Sequence, residues 1–175
     1  MAQVHLKVLL SSNRNQSGIL QLLRENALLT EYEALGRGSQ GAGDTQMQVK
    51  GNTPTGEYRA TQVVSTAQWP QNSYGPHGAI RLQPVSGNAR AAEQQVGRQG
   101  LLVHGGSPGG AGYWRKQPQQ SDLKATLGCI RLSNDNMADL VRRLFQETLE
   151  PQNNRSVDLD VKVTVTDHEA SFVRP

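Results

Sequence analysis

Cysteine, long apolar runs and clustered metal ligands are all scarce in this sequence. Cys129 is the single cysteine among 175 residues, which excludes a disulfide within the chain. The four histidines lie too far apart for a recognisable zinc spacing, so we expect no metal site. Near the start, the apolar run after Lys7 covers only residues 8–10, too few for a membrane span or for the apolar part of a signal peptide. The sequence therefore predicts no transmembrane segment, and no conventional export signal is visible.

Charge of one sign is not concentrated in any part of the chain. The 18 lysines and arginines and the 15 acidic residues are scattered, and the net charge is +3. We therefore expect no nucleic-acid partner, because proteins that bind nucleic acids gather basic residues on one face or in one tail. The length suits one domain with a real core, which we predict to span residues 1–175.

Hydrophobic spacing predicts strands at both ends of the chain. Apolar and polar residues alternate over 4–10 and, most clearly, over 157–165, as is typical of half-buried strands. Residues 18–36 fit either a helix or two strands around a polar turn, and periodicity alone favours the helix. Residues 65–100 mix turn signals and polar residues with one short strand candidate, Ala79 to Leu82, and are interpreted as mostly surface loop.

Ser133 is a good N-cap residue for one substantial helix that follows the cysteine. The apolar residues of this helix lie on or near one face: Met137, Leu140, Val141, Leu144 and Leu149. The expected fold class is therefore mainly β, with this α-helix after Cys129.

Cys129 has a glycine before it and a predicted helix shortly after it. Amides at a helix N-terminus stabilise negative charge, so we expect them to favour the thiolate. Gly128 leaves room for a carbonyl to approach, and the N–H groups of Gly128 and Cys129 are candidate donors to an oxyanion. His104, at the end of a short apolar run, is the best-placed candidate for the base. By spacing alone, however, a lone cysteine is more often a small buried hydrophobe than a nucleophile.

A family resemblance favours the interpretation of Cys129 as a nucleophile. The blocks Leu101-Leu102-Val103-His104-Gly105 and Thr126-Leu127-Gly128-Cys129-Ile130-Arg131-Leu132 resemble the signature of the L,D-transpeptidase (YkuD-type) catalytic family. That family has His-Gly, a loop, and then Ser/Thr-His-Gly-Cys followed by Ile-Arg. Thr53-Pro54-Thr55-Gly56-Glu57-Tyr58 is similar to its Thr-Pro-x-Gly-x-aromatic pattern, and Tyr74-Gly75-Pro76 precedes the His-Gly strand.

The resemblance covers roughly residues 18–165 and changes the interpretation of both fold and site. It implies a β-sandwich-like YkuD fold, with a hairpin rather than a helix over 19–36. It also implies that His104 activates Cys129 and that the backbone carbonyl of Gly105 accepts the other imidazole N–H.

Two departures from the family pattern bear on substrate preference. Leu127 stands where the family usually has a second histidine, and the loop between the two blocks is longer than in typical members and contains Tyr113 and Trp114. These two aromatic residues either flank a peptide or sugar or pack their own loop. Arg131 either binds a substrate carboxylate or orients the site, as the resemblance implies, or it pairs with a nearby acid. His77 is interpreted first as a loop residue and second as a cleft residue or alternative base.

The resemblance implies an acyl transfer on the tetrapeptide stems of peptidoglycan, without a metal or organic cofactor. The cysteine would attack the carbonyl of the third stem residue and release D-alanine. The resulting thioester would pass to an amine, which is transpeptidation, or to water, which is carboxypeptidase or endopeptidase activity. Such a substrate lies in the periplasm or cell wall, so we expect export from the cytoplasm by an unconventional route. The alternatives are a secreted antibacterial effector, a catalytically inactive wall-binding module and a thiol redox sensor.

Overall fold

Alternating apolar and polar residues form eight strands in the part of the chain that the computed structural model describes, namely residues 2–41, 43–106, 123–148 and 157–168. The strands are β1 (Val4–Ser11), β2 (Gly18–Arg24), β3 (Ala27–Ala34), β4 (Gly56–Val64), β5 (Ala79–Ser86), β6 (Leu101–His104), β7 (Ile130–Arg131) and β8 (Val157–His168). The helices are α1 (Gln71–Tyr74), α2 (Gly87–Val96) and α3 (Asn134–Thr148). The fold class is the predicted one, mainly β with a substantial helix after the cysteine.

The strands form one sheet in the order β3-β2-β1-β8-β4-β5-β6-β7. Neighbouring strands run antiparallel, except that β1 with β8 and β6 with β7 are parallel. The C-terminal strand β8 therefore lies in the middle of the sheet, with β1 on one side and β4 on the other. Apolar and polar residues alternate along β8 because every second residue faces the core, namely Val161, Val163 and Val165.

A single residue pair joins the two outermost strands. Leu35, directly after β3, exchanges two backbone hydrogen bonds with Arg131 of β7, at 3.0 and 2.9 Å. We call Leu35 and Arg131 the closing pair. The Thr126 N–H continues the contact by donating to the Arg37 carbonyl at 2.9 Å. The sheet thus curls back on itself, and Cys129 lies two residues from the join.

Residues 18–36 form a hairpin, as the family resemblance implied. β2 and β3 pair around a two-residue turn in which Glu25 and Asn26 have φ of 49° and 65°. Two successive left-handed residues give the turn that best matches the twist of paired strands. The helix favoured by periodicity alone is wrong. Leu20 and Leu22 are fully buried and point to one face of the strand, which is the period-two pattern of a sheet.

The helix after Ser133 is confirmed, and it covers one face of the sheet. The Ser133 Oγ accepts a hydrogen bond from the Asn136 N–H at 3.1 Å, which satisfies one of the free amides at the helix start. Three of the predicted apolar residues are buried in the core: Met137, Leu140 and Leu144. Burial of each stabilises the fold by about 1.5–3 kcal/mol. Leu149 lies outside the described residues.

The strand candidate at Ala79 to Leu82 is confirmed as the first half of β5. The interpretation of the rest of residues 65–100 as mostly loop is wrong, since the segment also contains α1 and α2. Helix α2 buries Ala89 and Ala92 and therefore lacks the wide apolar stripe by which a helix is recognised in sequence. Its alanine, glutamine, arginine and glutamate residues are nevertheless good helix formers, and Gly97, with φ of 69°, ends it in the left-handed conformation. In the ranges given above, no helix has both the length and the apolar character needed to cross a membrane.

Candidate active site

His104 ends β6 with its side chain buried. Its backbone pairs with Ala79 of β5, and 3% of the residue is exposed. The Nδ1 atom lies 2.6 Å from the carbonyl oxygen of Gly105. Because a carbonyl oxygen only accepts hydrogen bonds, Nδ1 carries the proton and Nε2 presents a lone pair. The contact that the resemblance implied for Gly105 is therefore present, and it leaves Nε2 as the basic atom.

The environment of His104 keeps its imidazole uncharged. Burial and, next, the positive charge of Arg131 lower the pKa of His104 to about 4, although the hydrogen bond with Gly105 raises it. The imidazole is therefore neutral at neutral pH. A neutral imidazole can accept a proton directly, which is the requirement for a general base.

Cys129 lies directly before β7 and is partly exposed to solvent. It packs against a small apolar cluster that includes Ala79 and Leu102. Ala79 is the strand partner of His104, and Leu102 precedes His104 by two residues on the same face of β6. Tyr74 packs against the same cluster, and its ring centre lies 5.0 Å from that of the imidazole. The two residues predicted to form the dyad thus share their neighbours.

The thiol of Cys129 is not activated in the expected way. Burial raises its pKa, while a backbone hydrogen bond with Leu102 and the positive charges of Arg131 and Arg98 lower it, and the net direction is upward. Amides at the start of α3 are not among these causes, and the net stabilisation of the thiolate expected from them is not found. Strand β7 separates the cysteine from the first turn of α3, whereas the protein packed around the sulfur removes its solvation. At neutral pH the site holds a neutral thiol and a neutral imidazole.

Two threonine hydroxyls hold the turn that precedes Cys129. The Gly128 N–H donates to Thr126 Oγ1 at 3.0 Å, and that hydroxyl donates to the Cys129 carbonyl at 2.9 Å. The fully buried Thr53 donates its hydroxyl to the Gly128 carbonyl at 2.8 Å. The Gly128 N–H is thus already donated within the protein, which argues against its predicted role as an oxyanion donor. The Cys129 N–H is the other member of that predicted pair.

Arg131 joins three backbone segments around the site. Its Nε donates to the Lys124 carbonyl at 3.0 Å, and its Nη1 donates to the Ser73 carbonyl at 2.9 Å and to the Gly105 carbonyl. Donors used in this way are not available to a substrate carboxylate. These contacts fit the interpretation that Arg131 orients the site, and Arg131 forms no ion pair with an acid of the described ranges.

Asn134, the first residue of α3, fits between two glycines. Its Oδ1 accepts a hydrogen bond from the Gly106 N–H at 2.8 Å. A Cβ atom would lie 2.3 Å from this oxygen at Gly75 and 2.4 Å from it at Gly105. Close packing therefore requires glycine at both positions. Sequence reasoning missed Asn134 because nothing distinguishes it from other polar residues at a helix start.

The other predicted site residues are either exposed or outside the described residues. His77 is exposed in the turn between α1 and β5, as its loop interpretation predicted. Leu127, in place of the family histidine, is 57% exposed directly before Gly128. Tyr113 and Trp114 lie outside the described residues. Leu127 is therefore the candidate side chain that solvent, or an approaching acceptor, meets beside the nucleophile turn.

A cavity of about 790 Å³ lies elsewhere in the molecule. It is formed by the start of β1, by β4 and β8, and by the end of α3, and its lining includes neither Cys129 nor His104. The described ranges place no group of three or more histidine, cysteine or acidic residues where it could hold a metal ion. The candidate chemistry therefore belongs to the face around His104 rather than to this cavity.

A protein-family model described as the L,D-transpeptidase catalytic domain (YkuD) matches residues 12–162. The match covers most of the chain and includes both His104 and Cys129. A search of curated proteins finds no significant match.

Several solved structures resemble the chain. L,D-transpeptidase 1 of Mycobacterium tuberculosis is 16% identical with a TM-score of 0.42, over 94% of this chain and 62% of its own. An L,D-transpeptidase from Mycobacterium smegmatis is 14% identical with a TM-score of 0.42, over 93% and 59%. An Enterococcus faecium L,D-transpeptidase is 12% identical with a TM-score of 0.45, over 94% and 50%. The chain thus spans between 50% and 62% of the length of these three.

Proposed function

Because the chain belongs to the L,D-transpeptidase catalytic domain family, we propose that it is a cysteine-dependent acyltransferase acting on peptidoglycan stem peptides. Cys129 is the nucleophile and His104 the base. One arrangement supports the proposal above all: His104 is buried, neutral and held at Nδ1 by Gly105, and Cys129 packs against the apolar cluster that contains Ala79, the strand partner of His104. Thiol acyl transfer needs a nucleophile and a base that a third group orients.

The first step forms a thioester on Cys129. The sulfur attacks the carbonyl carbon of the third residue in a tetrapeptide stem while Nε2 of His104 takes the thiol proton. The Cys129 N–H donates to the oxyanion, and the imidazolium is stabilised by its remaining bond to Gly105. Collapse of the intermediate breaks the peptide bond, and the amine of D-alanine takes the proton from His104 as it leaves.

The second step releases the acyl group to an acceptor. An amine of another stem gives a new peptide bond, and water gives a shortened stem with a free carboxylate. In both cases His104 takes a proton from the acceptor and returns it to the sulfur of Cys129 as the thioester breaks. The exposed Leu127 is the side chain we propose the acceptor meets. Because its substrate is the cell wall, the enzyme acts outside the cytoplasm.

The proposal is tested by incubating the full chain with purified tetrapeptide muropeptides and analysing the products by mass spectrometry. The variants Cys129→Ala and His104→Ala test the two proposed catalytic residues. His77→Ala is the matched control, because His77 is an exposed histidine in a neighbouring turn.

We expect cross-linked dimers or tripeptide stems from the wild type and from His77→Ala, and neither product from Cys129→Ala or His104→Ala. The ratio of dimers to tripeptides tells whether an amine or water is the acceptor. Product formed by Cys129→Ala would refute the nucleophile, and activity lost only in His77→Ala would move the base to His77. Unchanged muropeptide with every protein would favour a wall-binding module.

A further inference from the structure

Arg98 is a buried cation that hydrogen-bonds to backbone carbonyls. It follows Gly97 at the end of α2, and 6% of the residue is exposed. Its guanidinium donates to the carbonyls of Gln46 and Asn52, both at 2.7 Å, and of Gly51 at 2.9 Å. None of the ion pairs found between described residues involves Arg98. A buried charge without a counter-charge costs free energy, so its presence calls for an explanation.

The guanidinium lies against the turn that carries the nucleophile. A Cβ atom at Gly128 would lie 2.0 Å from Arg98 Nη2 and 2.8 Å from the Gly51 carbonyl oxygen. The side chain therefore fills the space behind Gly128 and fixes the 51–52 backbone beside it. The closeness also requires glycine at position 128, where φ is 114°.

We propose that Arg98 is a positioning residue of the Cys129 site, which holds the 51–52 backbone against the Gly128 turn and places its guanidinium directly behind that turn. The inference rests on the proposed function, in which Cys129 is the nucleophile. Arg98 lies outside the sequence blocks that carry the family resemblance. Its role follows from the contact with Gly128 and from a buried charge that forms no ion pair with a described residue.

The charges buried in the described part of the chain all have one sign. They belong to four arginines, Arg14, Arg37, Arg98 and Arg131. Arg14 pairs with the exposed Asp167, and Arg98 and Arg131 are the two whose charges act on Cys129. Positive charge near the thiol favours the thiolate and any oxyanion formed next to it. It thus offsets part of the effect of burial, which favours the neutral thiol.

Arg98 and Arg131 act on different members of the dyad. Both lower the pKa of Cys129, against the larger effect of burial. For His104, the charge that lowers the pKa is that of Arg131. Loss of the Arg98 charge should therefore change the titration of the thiol and leave that of the imidazole unchanged, which a general loosening of the fold would not do.

The experiment measures the rate at which iodoacetamide alkylates the full chain as a function of pH, by whole-protein mass. The single cysteine makes every adduct a Cys129 adduct. Arg98→Gln removes the charge but keeps an amide donor, and Arg98→Lys keeps the charge but loses the planar fork. Arg90→Met, at an exposed arginine of α2, is the matched control. Circular dichroism checks the fold of each variant, and Arg98→Met is the second neutral variant should Arg98→Gln not fold.

We expect the neutral variant to shift the midpoint of the alkylation profile to higher pH and to slow alkylation several-fold at neutral pH. Arg98→Lys should lie nearer the wild type, Arg90→Met should match it, and the NMR titration of His104 should not move. An unshifted midpoint in a folded neutral variant would overturn the proposal, as would equal shifts of Cys129 and His104. Wild-type turnover of muropeptides is measured separately, so failure of the proposed function and failure of the Arg98 role are distinguishable.

Discussion

His104 and Arg131 donate hydrogen bonds to the same atom, the carbonyl oxygen of Gly105. The imidazole is held by this acceptor, and the acceptor is held by the guanidinium. The same guanidinium lowers the pKa of His104 through its charge. Arg131 therefore influences the proposed base in two ways, by geometry and by electrostatics, and substitutions can separate the two.

The first prediction separates the charge of Arg131 from its hydrogen bonds. Arg131→Met removes both, so the pKa of His104 should rise from about 4. Buried carbonyls left unpaired should lower the free energy of unfolding by at least about 1–3 kcal/mol. Arg131→Lys should lose stability but keep the pKa low, because the charge remains. Histidine NMR titration and urea unfolding measure the two effects, and an unchanged His104 pKa in Arg131→Met would contradict this account.

The second prediction concerns the glycine after His104. A Cβ atom at Gly105 would lie 2.4 Å from Asn134 Oδ1, so Gly105→Ala should lower the free energy of unfolding by about 1–3 kcal/mol through overpacking. Adding Asn134→Ala removes the obstacle, and the double variant should be more stable than the sum of the single effects predicts. Gly43→Ala is the control, since its Cβ would meet open space. Simple additivity in urea unfolding would show that the clash is not the cause.

The third prediction concerns acid stability and does not involve the site. Burial raises the pKa of Asp139, but hydrogen bonds from Arg143, Tyr32 and Arg142 outweigh it and lower the pKa to about 2. A carboxyl with a lowered folded-state pKa stabilises the fold above its unfolded value of about 3.9 and loses that contribution as the pH falls to 2.

Asp139→Asn should therefore be less stable than the wild type at pH 7, and the difference should shrink between pH 4 and pH 2. Urea unfolding at several pH values measures this difference in the free energy of unfolding. Asp44→Asn, in an exposed loop, is the control and should follow the wild type. A constant difference across this pH range would mean that the carboxylate of Asp139 is not what stabilises the contact.

The fourth prediction tests the turn before the nucleophile. Thr126→Val removes the acceptor of the Gly128 N–H and the donor to the Cys129 carbonyl. We expect a loss of about 1–3 kcal/mol in the free energy of unfolding, because buried polar groups are left unpaired, and lower muropeptide turnover. Thr126→Ser keeps the hydroxyl and should therefore retain both the stability and the muropeptide turnover of the wild type. If the serine variant behaves like the valine variant, the methyl group rather than the hydroxyl is responsible.

The parts of the fold that were predictable depend on local pattern. β1, β8 and the helix after Ser133 repeat their apolar residues with a clear period, and the structure contains all three. Helix α2 was missed because it buries two alanines and shows no apolar stripe. The pairing of Leu35 with Arg131 joins distant parts of the chain, and no local pattern encodes it.

The parts of the candidate site that lie within the sequence motifs could be predicted. Cys129 and His104 were candidates from the residues themselves, the resemblance favoured them and implied Gly105, and the catalytic roles of all three stay predictions. Thr53 was within a quoted motif, but its hydrogen bond joins it to Gly128, 75 positions further along the chain, and Arg98 had no motif at all. The direction of the Cys129 pKa depends on burial, which the nearby helix start did not reveal.

Because of the closing pair, the site is complete only when the whole sheet has formed. Arg131 pairs with Leu35 through its backbone while its side chain holds the peptide that orients His104. Fraying at the rim of the sheet would release both at once, while the central strands β1, β8 and β4 stayed paired. A chain caught partway through folding would therefore have a cysteine but no oriented partner for it. Such a molecule would have no acyl-transfer activity until the end of β3 had paired with β7.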